Sequence, residues 1–206
     1  MSARVAGMMT ETPSAETRNG LIDGDRTVPP SSNLRTVLAA DLYAMVPELK
    51  EDIQLQPREG ETVSFLLARL RSSTTPEEAV TMAAYAFQPR IAVWWAHECV
   101  TTMREHLTPV DHQLLELIGA WAHDPSDANR REIYDIALQA PSKTPGVWLG
   151  LATGASGGGR RDEPIDLSTP RAINAGVLSC LARGGLQQRS INLARFITLA
   201  QTLVGD

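Results

Sequence analysis

The two cysteines and the histidines are the side chains in this sequence that most readily bind a metal ion or attack a substrate. Cys99 and Cys180 both fall on apolar faces of predicted helices, where burial raises the thiol pKa and makes the sulfur a poor nucleophile. His97 lies only two residues before Cys99, and side chains at that spacing point about 200° apart around a helix. Buried free thiols are therefore favoured over a disulfide, a catalytic pair or a metal site.

The other histidines form no catalytic or metal-binding pattern. His106, His112 and His123 do not occur in a HExxH sequence. His112 and His123 are separated by about three helical turns, which is too far for them to share one ion. The GxSxG sequence of serine hydrolases is also absent. The sequence therefore predicts no enzyme, no metal site and no cofactor.

A glycine-rich segment, GASGGGRR, is the remaining candidate for ligand binding. Backbone amides of glycine-rich loops can cradle an anion, and Arg160 and Arg161 could hold it. The segment lacks the Gly-Lys-Ser/Thr ending of a phosphate-binding loop and follows a predicted helix rather than a strand. A flexible loop at about residues 154–168 is the favoured interpretation, and an anionic ligand at the two arginines is the alternative.

Two adjacent tryptophans in PRIAVWWAHECV must face different directions, because neighbouring helical residues point about 100° apart. Trp95 falls within the apolar arc of this helix and is predicted to be a core residue. Trp94 falls on the other side, among Arg90, Glu98 and Thr101. A second helix, the N-terminal tail or the glycine-rich segment packs over Trp94, or Trp94 is an exposed anchor for another protein with those three residues as its polar rim. A third alternative is a surface on which a small molecule stacks.

Composition restricts the class of protein. The chain has 206 residues, a net charge of -5 and a pI near 5.4, which argues against a general nucleic-acid binder. No stretch approaches the roughly 20 apolar residues that cross a bilayer, and the N-terminus has no apolar signal core. We therefore predict a cytoplasmic protein without membrane insertion or nucleic-acid binding.

The chain divides by composition into a tail and a helical body. Residues 1–32 are rich in Thr, Ser, Gly, Asp and Pro, and such a segment buries too little apolar surface to offset its ordering entropy. We predict a disordered tail over residues 1–32 and a single helical domain over residues 33–206. Trp121 lies on an apolar helix face, and Trp148 lies within the apolar stretch GVWLGLA, so both are predicted to be core residues.

Proline marks the predicted helix starts. A residue that can cap a helix precedes proline at six places, and the predicted N-caps are Thr75, Gln88, Thr108, Asp124, Thr144 and Thr169. Three of the Thr-Pro pairs recur at about 35-residue intervals, the length of a helical-hairpin repeat. The residues inside these intervals do not match one another. The sequence therefore predicts an all-α fold, an irregular stack of antiparallel helix pairs, in preference to a regular solenoid.

Four stretches resemble a bacterial family of uncharacterised helical domains found in proteobacteria: PRIAVWWAHECV, AWAHDPSDANRREIYDIA, TPGVWLGLATGASGGG and TPRAINAGVLSCLA. In that family a helix with adjacent tryptophans precedes a W…DPs…NRR unit, a tP.gWl.lA helix, a Gly/Ser-containing loop and a last helical pair. Relatives have an aromatic residue, a Ser-Gly-Gly turn and prolines where this chain has GASGGGRRDEP. The resemblance carries over no catalytic residue.

The resemblance also bears on function. Relatives are often encoded beside type VI secretion components, which implies an accessory or adaptor role. We therefore expect a non-enzymatic cytoplasmic interaction protein whose partner is another protein, such as a secretion-system component, bound at Trp94. The alternative is a small-molecule-binding protein or enzyme that holds an anionic ligand near the glycine-rich loop.

Overall fold

The computed structural model describes residues 33–157 and 166–205, and these are all-helical, as predicted. The α-helices in these ranges are α1 (Ala39–Met45), α2 (Leu49–Asp52), α3 (Val63–Arg71), α4 (Glu78–Ala86), α5 (Pro89–Thr101), α6 (Pro109–His123), α7 (Asp127–Gln139), α8 (Pro145–Ala155), α9 (Ser168–Leu181) and α10 (Leu186–Gly205). A 3-10 turn, Arg104–His106, precedes α6. None of these helices is both long and apolar enough to cross a membrane. The predicted tail, residues 1–32, lies outside the described residues.

Three of the predicted N-caps are confirmed. Gln88, Thr108 and Thr144 each precede a helix that has proline in its first turn. Proline is favoured there because the first N–H groups of a helix have no partner within it. Thr108 forms a full capping box with Asp111, in which each side chain accepts a backbone N–H of the other residue.

The other three predicted caps were wrong, because neighbouring groups begin those helices. Ser126, rather than Asp124, caps α7 by accepting a backbone N–H of the first turn at 3.2 Å. In α9 the helix begins at Ser168, one residue before the predicted cap Thr169, because a carboxylate two residues upstream accepts the N–H of Ser168 at 2.9 Å. Thr75 lies in a tight turn that precedes α4.

Helices that are distant in sequence pack against one another. Among the described helices, α8 contacts α5, α6, α7 and α9, and α10 returns to α3 and α4. A regular solenoid would place each repeat against its neighbours alone, so the arrangement is the irregular one. Arg90 at the start of α5 contacts the end of α6, and Arg130 at the start of α7 contacts the end of α8. These contacts show that α5 and α6, and likewise α7 and α8, run antiparallel.

A stripe of glycines lets other helices approach α8 closely. Gly146, Gly150 and Gly154 recur every fourth residue, and therefore lie on one face of the helix. A Cβ at Gly146 would lie 2.8 Å from the backbone of Asp111, and one at Gly150 would lie 2.8 Å from the Cβ of Ala137. A Cβ at Gly154 would overlap a tyrosine side chain of α7. Close packing of α8 against α6 and α7 thus depends on these three positions having no side chain.

The two remaining tryptophans differ in burial. Trp121 on α6 is buried in the core, as predicted. Trp148 on α8 is only half-buried and packs at the edge of the core. The prediction for Trp148 was therefore only partly right, because α8 is apolar around most of its circumference and its sequence does not single out one buried face.

A carboxylate that is sealed from solvent joins the starts of α6 and α8. Asp111 accepts the backbone N–H of Thr108 at 2.9 Å, the Thr108 hydroxyl at 2.7 Å, the N–H of Gly146 at 2.8 Å and the hydroxyl of Thr144. The guanidinium of Arg183 lies 3.7 Å away. Burial alone would raise the pKa of Asp111, but the hydrogen bonds from Thr144, Thr108 and Gly146 outweigh it and hold the pKa below its ordinary value. We call this group of residues the Asp111 junction.

Replacing the carboxylate tests how much the Asp111 junction stabilises the fold. Asp111→Asn should lower the free energy of unfolding at pH 7 by about 3 kcal/mol, because the amide places donors against donors in a buried site. The native carboxylate stabilises the fold above its unfolded-state pKa, near 3.8, and this contribution is lost as the pH falls through the lower folded-state pKa. The difference between wild type and variant should therefore narrow below pH 3.8.

Urea denaturation at pH 7 and at pH 3 measures both effects. Asp135→Asn is the matched control, because Asp135 is an exposed acid on α7, and it should change stability by less than about 0.5 kcal/mol. An Asp111→Asn variant as stable as the control at pH 7 would contradict the assigned role.

Candidate functional site

Helix α5 buries one of its two tryptophans completely. Trp95 is 0% exposed, and its indole Nε1 donates to the backbone carbonyl of Phe196 at 3.1 Å. Its ring packs at a tilt against Phe87, with the ring centroids 6.1 Å apart. A buried indole N–H needs such an acceptor, and here α10 supplies it. The prediction that Trp95 is a core residue is confirmed.

Trp94 faces a shallow cavity between α5 and α6. Its side chain is half-buried, with part of the indole packed against the core. The indole N–H donates to no residue in the described ranges, yet it is not sealed from solvent. This donor is therefore left for water or for a binding partner. The cavity has a volume of about 260 Å³ and is lined by Arg90, Trp94, His97, Glu98, Gly119, Ala122 and His123; we call it the Trp94 cleft.

Arg90 closes the end of the Trp94 cleft by holding the C-terminus of α6. Its Nε and Nη2 donate to the carbonyl of Ala122 at 2.9 and 2.6 Å, and Nη2 also donates to the carbonyl of His123 at 3.0 Å. The last carbonyls of a helix lack partners within the helix and carry partial negative charge, so a guanidinium stabilises them. Within residues 33–157 and 166–205, no carboxylate forms an ion pair with Arg90.

His97 connects the two walls of the cleft. Its Nε2 lies 3.1 Å from the carbonyl oxygen of Leu115 on α6, and its Nδ1 lies 3.0 Å from Oε1 of Glu98. A Cβ at Gly119 would lie 3.0 Å from His97 Nε2, so the imidazole fits because that position has no side chain. Glu98 remains partly exposed, and its carboxylate is held at the edge of the cleft.

The structure groups three of the four predicted partner-binding residues and separates the fourth. Trp94, Arg90 and Glu98 line one cavity. Thr101 does not line it, because it lies in the last turn of α5 with its hydroxyl buried and without a hydrogen-bond partner among the described residues. A sealed hydroxyl cannot form part of a polar rim, so Thr101 lies apart from the group it was predicted to join.

His97, Gly119 and His123 also line the cleft but were not among the residues predicted for this site. His97 and Trp94 share the polar side of α5, and this three-residue spacing was a usable signal for including the histidine. Gly119 and His123 belong to α6. Their approach to α5 depends on how two helices pack, which no local pattern encodes.

The alternative ligand site was predicted at the two arginines of the glycine-rich segment. Arg160 and Arg161 lie within residues 158–165, outside the described residues. The part of the glycine-rich segment that precedes them packs against α7: Arg130 donates to the carbonyl of Gly154, and a Cβ at Gly157 would overlap the Arg130 guanidinium. Gly154 and Gly157 therefore have packing roles.

Both cysteines are buried free thiols, as predicted. Burial raises the pKa of Cys99 well above its ordinary value and raises the pKa of Cys180 to about 12. A thiol that stays protonated at neutral pH is a poor nucleophile. In the described part of the chain, His, Cys, Asp and Glu side chains form no group of three that could hold a metal ion.

Comparison with known proteins identifies the family to which the chain belongs. Residues 66–204, more than half of the chain, match the model of a family described as a family of unknown function (DUF6931). The chain belongs to DUF6931. No curated protein and no solved structure gives a significant match. The resemblance to an uncharacterised domain family is thereby confirmed.

The DUF6931 match extends over both of the features described above. The Trp94 cleft and the Asp111 junction lie wholly within residues 66–204. The described residues before the match, 33–65, contribute α1, α2 and the start of α3. The DUF6931 region therefore contains every helix that forms the cleft.

Removing the Arg90 side chain tests its contact with α6. Arg90→Ala should lower the free energy of unfolding by about 1 kcal/mol, because the last turn of α6 loses three hydrogen bonds and water replaces them in the space that the side chain leaves. Arg131→Ala is the matched control, since Arg131 is an exposed arginine of α7 that forms no ion pair with a described residue. Thermal unfolding of both variants measures the difference, and equal midpoints would contradict the assigned contact.

Proposed function

We propose that this chain is a non-enzymatic, cytoplasmic protein-interaction or adaptor protein whose partner docks on the Trp94 cleft. The observation that carries the proposal is that the Trp94 indole is partly buried and its N–H has no acceptor among the described residues. Because the indole is partly buried, its ring is held in place. An aromatic residue that is fixed in place and keeps a free donor is typical of an interface anchor.

The surroundings of Trp94 support a polar rim. The charge of Arg90 is not neutralised by any described carboxylate, and Glu98 keeps 42% of its side chain exposed. Opposite charges on either side of an aromatic anchor favour one orientation of a partner over others. A partner that offers a carbonyl or carboxylate acceptor to the indole and a basic group to Glu98 fits this arrangement.

The two thiols support the non-enzymatic part of the proposal. Cys99 and Cys180 have raised pKa values and no exposed surface, so neither is placed to attack a substrate. The resemblance to relatives encoded beside type VI secretion components supports the finer proposal that the partner is a component of such an apparatus. The family match itself carries no function.

Site-specific crosslinking tests the proposal in the native cell. A photo-reactive phenylalanine derivative placed at position 94 should crosslink to one partner protein, which mass spectrometry then identifies. The matched control carries the same group at Tyr134, a partly exposed aromatic residue on α7, and should not crosslink to that partner. Equal crosslinking from both positions, or none from position 94, would count against the cleft as the docking site.

Binding measurements with the purified partner then distinguish a loss of partner contact at Trp94 from a loss of folding stability. Trp94→Phe keeps the apolar contact and loses the N–H, and should weaken binding at least tenfold while it lowers the free energy of unfolding by less than about 1 kcal/mol. Trp94→Ala should abolish binding and cost about 1–2 kcal/mol of stability, since only part of the ring is buried. Undiminished binding by Trp94→Phe would exclude the indole N–H as a contact.

A further inference from the structure

Phe65 lies on the solvent side of a helix whose other side is in the core. Val63, Leu66 and Leu67 of α3 are completely buried, whereas Phe65 is 62% exposed. Its backbone N–H donates to the Thr62 hydroxyl at 3.3 Å, which fixes the first turn of α3. A large aromatic side chain is thus held in water at a capped helix start.

A cavity lies directly beside this ring. It has a volume of about 280 Å³ and is lined by residues 58–62 and by Phe65. The turn that forms its floor is fixed, because the buried carboxylate of Glu61 accepts the backbone N–H of Arg58 at 2.8 Å and pairs with Arg69 at 2.6 Å. An apolar cavity of about 150 Å³ already admits a benzene molecule. The depression beside Phe65 is larger but open to solvent and lined mostly by polar residues, so it can receive the edge or face of an aromatic ring.

Two further exposed apolar residues lie near the start of α3. Val37 is 55% exposed and Leu38 is 39% exposed. The backbone N–H of Val63 donates to the carbonyl of Val37 at 2.9 Å, and Leu38 forms a β-bridge with Thr62. These contacts place both residues beside the start of α3. We call the surface formed by Val37, Leu38, Phe65 and residues 58–62 the Phe65 surface.

The Phe65 surface also carries two adjacent charges of opposite sign. Arg58 and Glu59 are exposed on the turn that lines the cavity. Neither side chain forms an ion pair with any residue in the two described ranges. If a second copy of the chain is rotated by 180° and placed against the first, the Arg58 of each copy can lie opposite the Glu59 of the other.

We propose that the Phe65 surface binds a second copy of this chain about a two-fold axis. In such an interface residue i of one copy meets residue j of the other, and j meets i. The surface offers both halves of each contact: a protruding ring beside a cavity, and a cation beside an anion. Phe65 of each copy enters the cavity of the other, and Arg58 of each faces Glu59 of the other. This proposal is independent of the Trp94 cleft.

Sedimentation velocity of the 206-residue chain over 1 to 100 µM tests the proposal. The wild type should sediment as a concentration-dependent dimer. Phe65→Asp should sediment as a monomer at 100 µM with an unchanged thermal midpoint, because the ring is exposed in the monomer. Leu186→Asp, at an 88% exposed leucine on α10, should dimerise like the wild type. A monomeric wild type, a dimeric Phe65→Asp variant or a monomeric Leu186→Asp variant would overturn the proposal.

A charge exchange tests the two-fold arrangement itself. Arg58→Glu and Glu59→Arg should each weaken self-association at least tenfold, because each places like charges opposite one another. Mixing the two variants should restore association as a heterodimer, since both cross-copy pairs then have opposite charge. Native mass spectrometry of the mixture distinguishes the heterodimer from either homodimer. A statistical mixture of species, or no association, would overturn the two-fold assignment.

Discussion

The carboxylate of Asp111 is the group on which the relative placement of the central helices depends. It sits at the positive ends of α6 and α8 together, so two helix dipoles and four hydrogen bonds compensate for its burial. Since α8 contacts α5, α6, α7 and α9, fixing α6 against α8 also positions the helices around them. Gly146 contributes twice, because it donates its N–H to Asp111 and has no Cβ to push α6 away.

The Trp94 cleft follows from the same constraint. Helix α6 forms one wall of the cleft; its start is held to α8 by Asp111, and its end is held to α5 by Arg90. Between these two points His97 reaches across to the α6 backbone. On the other side of α5, the hydrogen bond from Trp95 to α10 fixes the rotation of the helix. Trp94 is therefore directed into the cleft by contacts that it does not itself make.

The sequence alone predicted the features that depend on the local pattern of residues. Helical periodicity separated Trp95 from Trp94, and capping residues before proline located the starts of α5, α6 and α8, because both signals lie within a turn or two of the residue concerned. The same reasoning missed the contact from Thr144 to Asp111 and the one from Arg90 to Ala122, whose partners lie 33 and 32 residues apart. Helical periodicity also grouped Thr101 with Trp94, because both residues point to the same side of α5. Periodicity shows neither where the helix ends nor which residues cover its last turn.

The four indole N–H groups offer the most direct measurement of how α5 is oriented. In the ¹⁵N-labelled 206-residue chain, each indole resonance can be assigned from single Trp→Phe variants and its exchange followed after transfer to D₂O. The Trp95 N–H should be strongly protected, because it donates to a buried carbonyl of α10, and the Trp94 N–H should exchange before the first spectrum. Protection of Trp94 equal to that of Trp95 would contradict an indole that is open to a partner.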